Sequence, residues 1–254
     1  MHKNDTSASW VWDIPLALVL LTRLPLPRLP DHVFARQAAG VWAFPVVGLV
    51  VGGLACGIGA VLLSLGLPPA AVAGVMLAVL IMTTGAMHED GLADTADGLW
   101  GGFTRERRLE IMKDSHIGTY GVLTLFVVQL LRFTGIAGLI ATGGLWSVLL
   151  APVYSRALMP VLMCAMPNAR GSGLSQSVGA PRVLTCGIGL ALSIGFAVVW
   201  LGTLALWPLL ISSLVVVGLA LTARAKIGGQ TGDILGASQQ LAEVSLLLTL
   251  LALI

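Results

Sequence analysis

Residues 88–121 read HEDGLADTADGLWGGFTRERRLEIMKDSHIGTYG. Seven of the chain's 12 acidic residues fall here: Glu89, Asp90, Asp94, Asp97, Glu106, Glu110 and Asp114. The sequence on both sides is almost wholly apolar. This contrast sets the fold class: an apolar scaffold holding one polar, chemistry-bearing face. Across the 254 residues 57% are hydrophobic and only 10% charged, against about 25% charged in a soluble domain. The mean hydropathy is +0.94. The chain reads as an all-α polytopic integral membrane protein. It forms a single membrane-embedded catalytic domain, residues 1–254, with active-site stretches at 88–121 and 226–243. Roughly six to seven transmembrane helices are expected, with an N-terminal interfacial helix and a cytoplasmic acidic helix-loop.

Within the quoted stretch the spacing carries chemistry. On a helix Asp94 lies roughly 40° from Asp90, and Asp97 roughly 20° to the other side. The three carboxylates then share a face, where they repel one another. Desolvation would add protons to them. A bound hard cation removes both problems, and all-oxygen donors suit Mg²⁺, with Mn²⁺ as the alternative ion. Asp90, Asp94 and Asp97 are therefore read as a metal platform for a phosphate or diphosphate substrate. The competing reading is a solvated acidic loop, which the helix-weakening Gly91 and Gly98 favour. His88 and His116 flank the stretch as candidates for a ligand or acid–base role, against a plain interfacial one. His2 and His32 read as surface residues.

Outward from this stretch the chain divides into apolar runs. Residues 1–9 are polar and read as frayed. Residues 14–21 are too short to span, and Trp10, Trp12 and the following Arg/Pro-rich tail suit a helix in the interface. Pro25, Pro27 and Pro30 enforce an extended segment. Spans are read at 41–66, 69–87, 117–139 and 145–166. The small-residue series Gly48, Gly52, Gly53 and Gly57 suits close helix packing. Thr104 caps a short helix over 105–114 with a Glu110–Lys113 pair, and Leu109 and Met112 rest on the membrane. Arg132 and Arg156 lie inside spans; Arg156 is the candidate for reaching a phosphate or an aspartate, and Arg132 reads as structural. The polar loop 167–182 is either a linker or a flap over a ligand. Residues 183–223 suit two spans broken near Trp207-Pro208, and 241–254 reads as a partial span. Cys56, Cys164 and Cys186 show neither metal nor disulfide spacing and read as small buried hydrophobes.

The second chemical stretch is KIGGQTGDILGASQQLAE at 226–243. Gly228, Gly229 and Gly232 permit turns whose N–H groups face an anion, and Asp233 and Glu243 add carboxylates. With the N-terminus in the cytoplasm, 12 of the 14 Lys and Arg residues fall in 1–40, 89–116, 167–182 and 224–240, while the opposite connections carry no charge. This satisfies the positive-inside rule and puts both chemical stretches on the cytoplasmic face.

The run Glu89-Asp90-Gly-Leu-Ala-Asp94-Thr-Ala-Asp97-Gly98, continuing through Arg105–Arg108 and LEIMKDSHIGTYG, resembles the cobalamin synthase family, adenosylcobinamide-GDP ribazoletransferase. So do LTRLPLP at 21–27, FPVVG at 44–48 and GGQTGDILGA at 228–237. The resemblance covers essentially the whole chain. It implies that adenosylcobinamide-GDP reacts with α-ribazole or its 5′-phosphate, giving adenosylcobalamin or its phosphate and GMP, with Mg²⁺. It implies catalytic roles for Glu89, Asp90, Asp94 and Asp97. Substrate-binding roles are expected for Arg105, Arg107, Arg108, Lys113, Asp114, Ser115, Arg156, Thr231 and Asp233. Asp97 or Glu89 is the expected proton acceptor. A multi-pass location in a bacterial inner membrane follows, with the lipid bilayer as partner and no nucleic acid; a homo-oligomer or a complex of pathway enzymes stays open. The chain departs from the family pattern at Ser238-Gln239-Gln240, where an Asn-Glu pair is expected.

Other readings exist. Asp94-Thr-Ala-Asp97-Gly98 matches the opening of the CDP-alcohol phosphotransferase motif, but Gly101-Gly102 stand where Ala-Arg should follow. Membrane prenyltransferases need a second acidic cluster richer than Asp233. A small-molecule transporter predicts mid-membrane charge and a pseudo-repeat, and this chain shows no repeat.

Overall fold

The computed structural model describes residues 9–253; the polar start before Ser9 lies outside the described residues. The described chain is helical, and its elements follow the apolar runs. α1 is Asp13–Leu21, α2 Gln37–Gly40, α3 Phe44–Ser64, α4 Pro69–Thr84, α5 Met87–Gly101 and α6 Arg105–Ile111. α7 is Thr119–Ala141, α8 Leu150–Ala165, α9 Leu174–Val178, α10 Val183–Leu201, α11 Leu206–Ile227 and α12 Gly232–Leu253. Residues 22–30 form no helix, as their three prolines require.

Five segments are long and apolar enough to cross a membrane, and α4 with α5 makes a sixth as a pair bent by 87°. The longest segment, Val183–Ile227, has 45 residues, roughly twice what one crossing needs. Its ends show that it turns back. Asn168, in the loop that leads from α8 to α10, bridges to Gln230, just after α11. Trp200 Nε1 at the other end of α10 donates to Ser147 Oγ. The reversal sits at Gly202 (φ 59°) and the turn to Ala205, earlier than the break expected at Trp207-Pro208. Pro208 instead occupies the first turn of α11, where its missing N–H leaves no bond unmade. Six to seven crossings result.

α12 corrects the sequence reading further. The expected partial span at 241–254 is the second half of a 22-residue helix that starts at Gly232. Ser238, Gln239, Gln240 and Glu243 hid it, because polar side chains lower the hydropathy. All four are buried inside the bundle, at 0–1% exposure. α8 is equally enclosed, with nearly every residue buried. These two helices form the centre, and α3, α5, α7, α10 and α11 pack around them.

Small residues set the closest approaches. A Cβ on Gly48 would lie 2.1 Å from Pro152 O, and one on Gly52 2.7 Å from the Pro152 ring, so α3 meets α8 backbone to backbone. Gly53 and Gly57, grouped with them in the sequence, meet nothing within 4 Å. The short helix α6 starts as expected, with Thr104 Oγ1 accepting from Arg107 N. It ends at Ile111, so Lys113 is off the helix and Glu110 pairs instead with Arg107, at 2.7 Å. Met112 is buried against Gly98 of α5, and Leu109 packs with it, rather than on the membrane. The N-terminal helix α1 covers the bundle with Leu16, Ala17 and Leu21, and Asp13 ties it to Arg36 and Trp42. The three cysteines are free; Cys56 and Cys186 are buried.

Candidate functional site

The acidic stretch is a helix, not a loop. α4 ends in two left-handed residues, Gly85 (φ 65°) and Ala86 (φ 56°), which turn the chain by 87° into α5. α5 packs across α12, beside the charged connections that meet at Arg105, Arg170 and Asp233. Gly91, taken in the sequence as helix-weakening, is a contact point, and so is Gly236. A Cβ on Gly91 would lie 2.9 Å from Asp233 O, and one on Gly236 3.2 Å from His88 O. α5 and α12 therefore cross glycine on glycine, which brings Asp90 and Asp94 against Asp233. Gly91→Ala must push two backbones apart. It is expected to cost about 1–3 kcal/mol and to lower activity with it; an unchanged Tm and turnover would contradict this crossing.

Asp94 records the crowding. Its pKa is pushed up to about 7, by burial first, then by the Asp90 and Asp233 charges, with Arg170 opposing. Asp90 is exposed. Asp233 sits in the first turn of α12, whose start is capped by Thr231: Thr231 Oγ1 accepts from Ile234 N and donates to Asp233 Oδ2. Arg170 NH2 donates to Asp233 Oδ2 at 2.6 Å. Arg170 belongs to loop 167–182 and was counted in the sequence only as a cytoplasmic charge. Asn168 Oδ1 holds the loop by accepting from Arg170 N and Gly171 N. The loop and α9 thus fold back over a cleft of about 190 Å³ whose polar rim is Asp90, Arg170 and Asp233. Among the described residues no three His, Cys, Asp or Glu side chains converge closely enough to hold an ion unaided.

Two of the four carboxylates on α5 are already engaged. Asp97 accepts from Gly118 N at 2.7 Å and Gly121 N at 2.9 Å, closing the start of α7. It also lines a second hollow of about 290 Å³ with Asp114 and His116. There the exposed Asp114 and His116 lie 2.7 Å apart; their hydrogen bond holds Asp114 below the usual carboxylate range and His116 above the usual imidazole range. Lys113 and Ser115 are exposed beside them.

Glu89 points the other way, into a buried network. Arg132 NH1 donates to Glu89 Oε1 at 2.9 Å, and Arg132 NH2 to Glu243 Oε1. Gln240 Nε2 reaches Glu89 Oε1 at 3.0 Å, and Gln239 Nε2 reaches Ser155 Oγ and Glu243 Oε2. Arg156 is 3.9 Å from Glu243, on the side of α8 facing α12. Two arginines therefore balance two glutamates. Gln239 and Gln240, where the resemblance led us to expect an Asn-Glu pair, bridge them without adding a third negative charge. The structure sets Glu89 and Arg156 here, not on the cleft, and gives Arg132 a buried pairing role that its lone position in an apolar run did not reveal. His88 lies between network and cleft, 1% exposed, with neither ring nitrogen hydrogen-bonded.

The arginines of α6 also lie apart from the cleft. Arg105 donates to Ile227 O and Ala169 O, and Arg108 to Lys226 O, so both satisfy carbonyls at the end of α11 and beyond α8. Arg107 stays on the surface with Glu110.

The comparisons with known proteins follow the same residues. The family model described as cobalamin-5-phosphate synthase matches residues 13–251. A protein of Bradyrhizobium diazoefficiens named adenosylcobinamide-GDP ribazoletransferase is 43% identical over 96% of this chain and 95% of its own length. Proteins of the same name from Brucella ovis and Brucella abortus are each 41% identical over 94% of this chain and 96% of theirs. No solved structure matches the chain. Acidic helix, glycine crossing and capped second stretch thus all lie within one matched span, and the chain is an enzyme belonging to the cobalamin-5-phosphate synthase family.

Proposed function

We propose that this enzyme joins adenosylcobinamide-GDP to α-ribazole or its 5′-phosphate, releasing GMP and giving adenosylcobalamin or its 5′-phosphate. The observation behind this reading is the convergence of Asp90, Asp94 and Asp233 beside Arg170 on one charged face. A ribose hydroxyl oxygen of the acceptor forms a new bond to the phosphorus attached to cobinamide. The bond from that phosphorus to GMP breaks, and the hydroxyl proton passes to a carboxylate. Such transfers depend on positioning and on neutralising negative charge. Arg170 would hold non-bridging oxygens. Asp97 and Glu89 each have protein donors already, which leaves Asp90 and Asp94 facing the reactants.

The residues fit Mg²⁺ or Mn²⁺ in the way such ions bind diphosphates, through one or two carboxylates plus substrate oxygens. Asp90 and Asp94 would supply the carboxylates, with Asp233 behind them. The ion would neutralise the diphosphate and the departing GMP. The charge pattern of the connections supports a cytoplasmic orientation of this face in a bacterial inner membrane.

A pH-linked prediction follows from Asp94. An acid whose folded pKa is raised holds its proton more tightly when folded, so the cation-free protein loses stability as pH rises from the ordinary carboxyl value of 3.8 to about 7, and stays at that lower level above. A divalent ion binds the ionised form. Mg²⁺ should therefore raise Tm more at about pH 8 than at about pH 6. Equal shifts at both pH values, or none, would count against Asp94 as ligand.

The reaction is tested with purified protein, adenosylcobinamide-GDP, α-ribazole 5′-phosphate and Mg²⁺, reading GMP and the cobamide by mass. Product formation supports the proposal. Absence of product, with CMP released from a CDP-alcohol instead, overturns it.

A further inference from the structure

Resting on that transfer reading, we propose that the cleft of about 190 Å³ is the acceptor subsite, built to take a flat heterocyclic base and its ribose. Size comes first. Ligand pockets for drug-sized molecules run to roughly 300–1,000 Å³. At about 190 Å³ the cleft matches the size of a small ligand, one fused ring system with the edge of a sugar.

Its chemistry is divided in the same way. One wall is apolar: Leu21, Phe44, Met159, Met163, Val178 and Leu235, from five different helices or their flanks. An aromatic edge and two thioethers suit a planar ring. The opposite rim is Asp90, Arg170 and Asp233, where the transfer is placed. A molecule lying across the cleft therefore puts its base on the apolar wall and its ribose at the rim. His88 completes the lining, and its two ring nitrogens are without partners in a nearly dry setting. A neutral imidazole offers one donor and one acceptor. It matches the ring nitrogen of an azole or a ribose hydroxyl, and a ligand would satisfy a group that the protein leaves unpaired.

The test separates acceptor from donor. Leu174→Trp fills the mouth of the cleft from an exposed position on α9, so it leaves the core alone. Met163→Phe narrows the apolar wall, and His88→Phe removes both nitrogens while keeping a ring. Binding of α-ribazole is measured by equilibrium dialysis without donor, and KM for each substrate by turnover. The proposal expects the acceptor Kd and KM to rise roughly tenfold or more, with the donor KM changing less than about twofold. Unchanged acceptor binding in all three variants, or a selective rise in the donor KM, overturns the subsite. A wild-type protein that binds α-ribazole but forms no product overturns the transfer reading while leaving the subsite in place.

Discussion

Asp94→Ala is expected to lower turnover by roughly a thousandfold or more without lowering Tm. Both halves of that expectation come from the same crowding. Asp94 is half-buried among carboxylates, and its pKa of about 7 shows that its charge is resisted by burial and by Asp90 and Asp233. Removing the side chain relieves repulsion in the cation-free protein, so stability should hold or rise. Activity should collapse, because the proposed site loses a carboxylate that would hold the cation neutralising the diphosphate. Asp97→Ala makes the contrast. Its carboxylate receives two N–H donors at the start of α7, so its loss should lower stability by about 0.5–2 kcal/mol, as lost helix caps do. Turnover and thermal unfolding of the two variants side by side check this. A fall in Tm for Asp94→Ala equal to that of Asp97→Ala would make Asp94 a structural residue.

Arg132→Leu should be the most destabilising single change in the bundle. Arg132 is 1% exposed and bonds Glu89, Glu243, Gln129 and Gln240. Its removal leaves two buried carboxylates with only Arg156 near them. Breaking a buried pair in this way costs about 3–5 kcal/mol. Adding Glu243→Gln to Arg132→Leu removes one orphaned charge and should recover part of the loss. Unfolding of detergent-solubilised variants measures both. A single Arg132→Leu protein as stable as wild type would show that the network does not hold α5, α7 and α12 together.

The fold was legible wherever side chains face lipid. Runs such as 41–66 and 117–139 announced their helices by hydropathy, and the charged connections sorted to one face. Legibility failed where polar groups face inward. Gln239 and Gln240 made the first half of α12 look like a loop, and Glu243 weakened the second half, because hydropathy cannot separate water-facing from bundle-facing polarity. Arg132 was read as structural, but its partners could not be named, since they lie 43 and 111 positions away in sequence.

At the site, the spacing of Asp90 and Asp94 placed them correctly on one helical face. It could not show that Glu89 turns to Arg132 or that Asp97 closes α7. Gly91 was ambiguous in sequence: helix weakness and close approach call for the same residue. Arg170 gave no signal beyond its charge, because only the folded loop carries it to Asp233.

The central claim is that Asp90 and Asp94 hold the divalent ion on which transfer depends. The most direct measurement is Mn²⁺ titration by electron paramagnetic resonance, on chelator-stripped protein with adenosylcobinamide-GDP present. Wild type and Asp94→Asn are compared. Bound Mn²⁺ is expected in the wild type, with at least roughly tenfold weaker binding in the variant. Equal Mn²⁺ affinity in both proteins would contradict it.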